Sequence, residues 1–129
     1  MRKIGKKYRD IKFKSEKNKA VMLVHSQEAR SFAKYLETDP SISTYVAGKP
    51  MEFERLQMVP KVDIRGEYFQ QQWESDFYIL YEDGTVAVRE ISNRADLEKL
   101  ADVEKLELSR RYWKCCGVQD WKIVIVGGA

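Results

Sequence analysis

The chain has 129 residues, 43% of them hydrophobic and 33% charged, with a formal net charge of +3. That composition supplies enough apolar surface for one folded domain spanning the whole chain and excludes disordered, collagen-like and linker-dominated classes. No apolar run approaches the ~18 residues a membrane-spanning helix needs, and MRKIGKKYRD has no apolar stretch behind its charges, so a cytoplasmic protein is expected.

Residues 1–19 carry nine lysines and arginines against Asp10 and Glu16, a segment charge of +7 that leaves −4 on the other 110 residues. A basic arm of this kind suits an anionic partner, because each cation near a phosphate releases counterions; a solvated tail is the alternative. Tyr8, Ile11 and Phe13 interleave with the charges as in an edge strand with one dry face. Val21 to Val24 is a short apolar run. Ser26 then stands where a helix N-cap belongs, ahead of Ala29, Phe32, Ala33 and Leu36 at helical spacing, and Asp39-Pro40 ends that helix. With His25 as the lone histidine there is no multi-histidine metal centre, and catalysis is expected to rest on carboxylates and lysines.

Residues 42–63 contain two or three short apolar runs, broken by Gly48-Lys49-Pro50 and by Pro60, and read as strands. SDFYILY and TVAVREIS, joined around Glu82-Asp83-Gly84, read as a hairpin. From Ala95 to Cys116 a helical pattern places Leu97, Ala101, Leu108, Tyr112 and Cys115 on one stripe, with Gly117 as its C-cap. The adjacent Cys115 and Cys116 suit neither a disulfide nor a zinc site. Trp121 to Val126 closes the chain as a buried strand. The pattern is α/β, with a mixed central sheet flanked by helices.

The hairpin register decides where the acids fall. A three-residue loop with Gly84 in the left-handed conformation pairs Tyr81 with Thr85 and stands Asp76 opposite Glu90; a two-residue loop would oppose Glu90 to Phe77 and put a carboxylate on an aromatic face. Burial favours the first. Opposed like charges beside Tyr78, Val88 and Leu80 require neutralisation, which a hard divalent cation such as Mg²⁺ supplies by combining two carboxylates with phosphate oxygens and waters. Glu28, in the first turn of the early helix, is a third acid, although the helix dipole favours an acid there in any protein. The alternative for Asp76 and Glu90 is a surface ion network with Arg89, Arg94 or Lys99.

On HSQEARSFAKYLETDPSISTYVAGKPMEF, ESDFYILYEDGTVAVREIS and KLELSRRYWKCCGVQDWKIVIV the chain resembles the catalytic domain of TnsA-type transposon endonucleases, with the last stretch the most specific. The resemblance implies a restriction-endonuclease-like, PD-(D/E)XK core. In that core an acid pair binds Mg²⁺, or Mn²⁺ in its place, and a lysine two residues after the second acid assists attack on phosphate. Asp76 and Glu90 match the acids and Glu28 matches the family's helix glutamate, so all three become candidate metal ligands. Ser92 stands where the lysine is expected, and a serine offers no positive charge to the transition state. A migrated cation would restore it: Lys105, on the inward stripe of the second helix, is the first candidate, ahead of Arg94 and Lys99.

The activity implied is nicking of DNA at transposon ends by metal-dependent hydrolysis. Lys3, Lys6, Lys7, Arg9 and Arg94 are the expected DNA contacts, and a DDE-type transposase subunit and an AAA+ regulator the implied partners. The C-terminal region with which relatives contact that regulator is expected to be absent here. A non-catalytic DNA-binding or assembly subunit, and a small stand-alone nuclease, are the competing readings.

Overall fold

The two β-rich runs pair as their alternation predicts. In the computed structural model, which describes residues 1–126, β5 (Trp73–Tyr81) and β6 (Val86–Ser92) lie at the centre of a five-stranded mixed sheet. Phe77 pairs with Arg89, Tyr78 with Val88, Ile79 with Ala87 and Leu80 with Val86. The turn is the three-residue one: the Tyr81 N–H donates to the Thr85 carbonyl at 2.9 Å and the Gly84 N–H to the Tyr81 carbonyl at 3.0 Å. Gly84 takes φ +87°, the left-handed conformation that closes such a loop. Continued by one step, this register sets Asp76 across from Glu90.

Along the sheet, β4 (Ile42–Pro50) runs antiparallel to β5, and β7 (Asp120–Ile125) runs parallel to β6. The crossover that makes this last pairing parallel is α3 (Leu100–Cys115), entered through a 3-10 turn at Asp96–Glu98. As the outer strand with β6 on one side, β7 is half-buried and not the buried strand expected.

The sheet has a dry layer on each face. On one lies α1 (Gln27–Thr38), which starts on Ser26, whose Oγ accepts from the Ala29 N–H at 3.1 Å, and ends at Asp39. Its Ala29, Ala33 and Leu36 pack with Ile42, Phe77, Ile79 and Ala87, and with Phe13 and Val24 of a separate hairpin, β2 (Ile11–Ser15) and β3 (Ala20–Val24). On the other face, Leu108, Tyr112 and Trp113 of α3 pack with Val88, Trp73, Tyr68 and Phe69. Adjacent residues Ala87 and Val88 fall in different clusters, as strand alternation requires. Phe69 and Phe77 are fully buried, each worth roughly 1.5–3 kcal/mol of apolar transfer.

Three further expectations are corrected. Residues 42–63 hold one strand, β4, which runs through Gly48-Lys49-Pro50, followed by a single helical turn, α2 (Phe53–Leu56). The buried face of α3 carries Glu104, Leu108, Ser109, Tyr112 and Trp113, while Cys115 is exposed. The stripe is rotated because a glutamate and a serine point inward to polar partners, which apolar periodicity alone does not register. Gly117 does follow the helix as its C′ residue, with the Val118 N–H donating to the Trp113 carbonyl at 2.9 Å and the Gly117 N–H to the Lys114 carbonyl at 3.0 Å. Finally, residues 1–19 are not a detached arm: Arg2–Lys3 form β1 of the central sheet and Ile11–Ser15 enter the hairpin, with Phe13 and Ser15 buried. Among the described residues no helix is long and apolar enough to cross a membrane.

Candidate active site

A strand has two edges, and β5 shares one of them between two partners. β4 follows one edge from Glu74 to Tyr81; on the other, β6 covers Phe77 to Leu80 and β1 covers Trp73 and Glu74. Asp76 lies at the fork between β1 and β6. There the backbone ladder gives way to side chains: the Asp76 N–H donates to Glu90 Oε1 at 2.9 Å, and the Ile91 N–H donates to Asp76 Oδ2 at 2.7 Å. Each carboxylate thus takes a backbone donor from the facing strand and is fixed by it.

Both carboxylates converge on one cation. The α-ammonium of Met1, the first residue of this chain, stands 2.8 Å from Asp76 Oδ2 and 2.9 Å from Glu90 Oε1. Burial alone would lower its pKa, but the charges of Asp76 and Glu90 and the hydrogen bonds to them outweigh that, pushing it up to about 10. Glu90 is wholly buried, and this burial raises its pKa; the Met1 ammonium opposes the rise and Asp76 adds to it.

Next to Met1, the Arg2 guanidinium pairs with Glu74 and lies 3.9 Å from Asp76 Oδ1. Gly48 makes room for that pair. It takes φ +74°, and a Cβ there would stand 3.3 Å from both the Arg2 guanidinium and the Glu74 carboxyl group. Gly48→Ala is therefore expected to destabilise the protein by at least about 1–2 kcal/mol, read as a lower urea midpoint at unchanged slope.

The helix α3 supplies the floor. Its Ser109 hydroxyl donates to Glu90 Oε2 and accepts from Trp121 Nε1 at 3.0 Å, while Trp113 Nε1 donates to Ser75 Oγ at 2.7 Å. These bonds explain why Ser109 and Trp113 face inward. Above the acids opens a cleft of about 270 Å³ whose lining includes Met1, Tyr8, His25, Glu28, Asp76, Ser92 and Asn93.

The structure therefore brings Asp76, Glu28 and Ser92 to one cleft with Glu90 buried beneath it. Glu28 stands in the wall and does not complete a ligand set: among the described residues no three of His, Cys, Asp and Glu group so as to hold a metal. Asp76 and Glu90 do fit a hard cation, since two carboxylate oxygens already face one positively charged atom, with the ammonium as the stand-in.

Lys105 is absent from the cleft lining. It is on the inward side of α3, but its ammonium lies over the rings of Tyr68 and Trp73, 5.6 and 5.7 Å from their centres. The cation beside the two acids is the Met1 ammonium, which no side-chain pattern announces. Lys3, Lys6, Lys7, Arg9 and Arg94 are exposed, with Arg94 beside the cleft residue Asn93. Arg89, an alternative partner for the acids, pairs instead with Asp120 at 2.9 Å. No family model matches this sequence, and no curated protein matches it as a relative.

Proposed function

We infer that the chain is a metal-dependent DNA endonuclease subunit of the TnsA type, with a restriction-endonuclease-like core, that nicks phosphodiesters at transposon ends. The observation carrying this reading is the convergence of Asp76 and Glu90, from neighbouring strands, on one cation position at the foot of an open cleft. Asp76 and Glu90 would hold Mg²⁺ or Mn²⁺, with Met1 ceding the point between them. What such an ion would supply, when bound, is acidification of a water and compensation of charge on the scissile phosphate. Ser109 and the Asp76 N–H orient Glu90, and their hydrogen bonds oppose the rise in its pKa that burial causes. The exposed lysines of residues 3–9, with Arg94 at the rim, would grip the DNA backbone on either side, and Glu28 would orient water from the wall. A DDE-type transposase subunit and an AAA+ regulator remain the partners the resemblance suggests, in a prokaryotic cytoplasm.

A second reading, an assembly subunit that keeps the fold without cleaving, is favoured by Ser92 in place of the lysine and by the ammonium already seated between the acids. The two separate on supercoiled plasmid with Mg²⁺ or Mn²⁺, assayed alone and with a DDE-type transposase partner. Nicking is expected, and Asp76→Ala should lower it by about 10²- to 10³-fold, the scale of losing a key transition-state contact. Nicking that survives in Asp76→Ala comes from another enzyme.

A further inference from the structure

We propose that His25 is the proton acceptor of this site, drawing the proton from the water that attacks phosphorus. The proposal rests on the nuclease reading and assigns a residue to it. The imidazole lines the same cleft as Asp76 and Glu28, and its side chain is 17% exposed. Its Nδ1 lies 2.9 Å from the Arg9 carbonyl oxygen and 3.1 Å from Asp10 Oδ1. A carbonyl oxygen can only accept, so Nδ1 must carry the hydrogen. In the neutral ring the lone pair is therefore on Nε2, which has no hydrogen-bond partner among the described residues. The Tyr8 ring, 5.8 Å from the imidazole centre to centre, fixes its plane from the side.

This is the arrangement by which a carboxylate selects the tautomer of a general base and steadies the imidazolium that forms. It also supplies what Ser92 cannot. A lysine at that position would act on the attacking water; here a base in the lining of the same cleft takes the proton. Water gives one proton to Nε2 as its oxygen bonds to phosphorus. The bond from phosphorus to the leaving oxygen breaks with its electron pair on that oxygen, which takes a proton from solvent, and the imidazolium later returns its own. The charged and titratable groups around the ring are Asp10 and Tyr8 beside it and, in the lining of the same cleft, Glu28, Asp76, Asp96, Arg2 and the Met1 ammonium.

The first test is single-turnover nicking of supercoiled plasmid with Mn²⁺, across pH 5 to 9. His25→Asn retains an N–H for the Arg9 carbonyl and removes the Nε2 acceptor. It should lower the rate about 10²- to 10⁴-fold, the usual worth of a positioned base, with plasmid binding unchanged, and should erase the limb of the pH profile that tracks imidazole ionisation. Asp10→Asn, at a positioning residue, should lower the single-turnover rate by less than His25→Asn does while leaving plasmid binding unchanged, a split between rate and binding that loss of structure alone would not give. A wild-type rate in His25→Asn, with Asp76→Ala inactive, overturns this role and leaves the nuclease reading intact; absence of nicking under every condition, partner included, overturns both. The second test needs no metal: the single imidazole gives one pair of ¹⁵N resonances, expected to report the Nδ1–H tautomer. The Nε2–H tautomer would overturn the proposal whatever the activity.

Discussion

Truncation of Glu90 to alanine is expected to cost the fold about 3–5 kcal/mol, the scale of breaking a buried ion pair from one side, while glutamine at the same position should cost under about 1.5 kcal/mol, one typical hydrogen bond. The difference follows from what each change leaves behind. Alanine strands the buried Met1 ammonium on Asp76 alone, removes the acceptor of the Ser109 hydroxyl and of the Asp76 N–H, and opens a void under the cleft. Glutamine keeps the shape and one acceptor oxygen for the Asp76 N–H, and its amide can donate to Ser109 Oγ once that hydroxyl turns. It also removes a charge whose pKa burial has already driven up, so part of the lost attraction to Met1 is offset by a smaller desolvation cost. Both variants should fail to nick DNA, because both lose a carboxylate. Urea unfolding at pH 7 distinguishes them; equal midpoints would mean that the hydrogen bonds to Ser109 and the Asp76 N–H, and the filled volume, contribute nothing beyond the charge that both variants lack.

The same centre shows what the sequence could and could not convey. The hairpin was legible because turn chemistry and face alternation gave one consistent register: Gly84 closes a three-residue loop, and the alternative would have set Glu90 against Phe77. The first helix was legible because Ser26 caps it and Asp39-Pro40 ends it. The inward face of α3 was misread where polar residues are buried for polar reasons. Ser109 serves Glu90, and Glu104 accepts from Arg65, by the Arg65 N–H at 2.8 Å and by Nε at 3.0 Å. A stripe drawn through apolar residues passes these by.

The basic start was misassigned for a related reason. Its net charge suggested an arm, yet its first two residues are held by specific pairs, Met1 with Asp76 and Glu90 and Arg2 with Glu74, which net charge cannot distinguish from general basicity. One histidine cannot make a metal site, and nothing in the sequence places Asp10 beside His25, although one histidine suffices for proton transfer once it lies there. The acids of the site were readable from register; the cation and the base come from segments whose positions depend on tertiary packing.

Stability should fall between about pH 8 and pH 10, by roughly 2–3 kcal/mol, and acetylation of the Met1 α-amino group should abolish that dependence. The α-ammonium, ordinarily near 8.0, is pushed up to about 10 in the fold. A group that binds its proton more tightly when folded stabilises the native state fully while the unfolded group is still protonated, below about pH 8. As pH rises, the unfolded chain sheds this proton first, and the advantage is gone once the folded group has lost its own, above about pH 10. Two pKa units at ~1.4 kcal/mol each give the magnitude. The buried tyrosines of raised pKa, Tyr45 and Tyr112, begin to act only above this window, because an unfolded tyrosine ionises near pH 10. Acetylation replaces the cation with a neutral amide, so the acetylated chain should be the less stable at pH 7, with a flat response from 8 to 10, as measured by urea midpoints. A residue added before Met1 should act like acetylation, since it moves the ammonium out of the fork between β1 and β6 and leaves two carboxylates facing one another without a charge between them. The same change would free the point on which Asp76 and Glu90 converge. If Met1 holds the place of a metal, the extended chain should bind Mn²⁺ more tightly than the original even as its fold weakens, whereas a purely structural ammonium would give weaker folding and no gain in metal affinity.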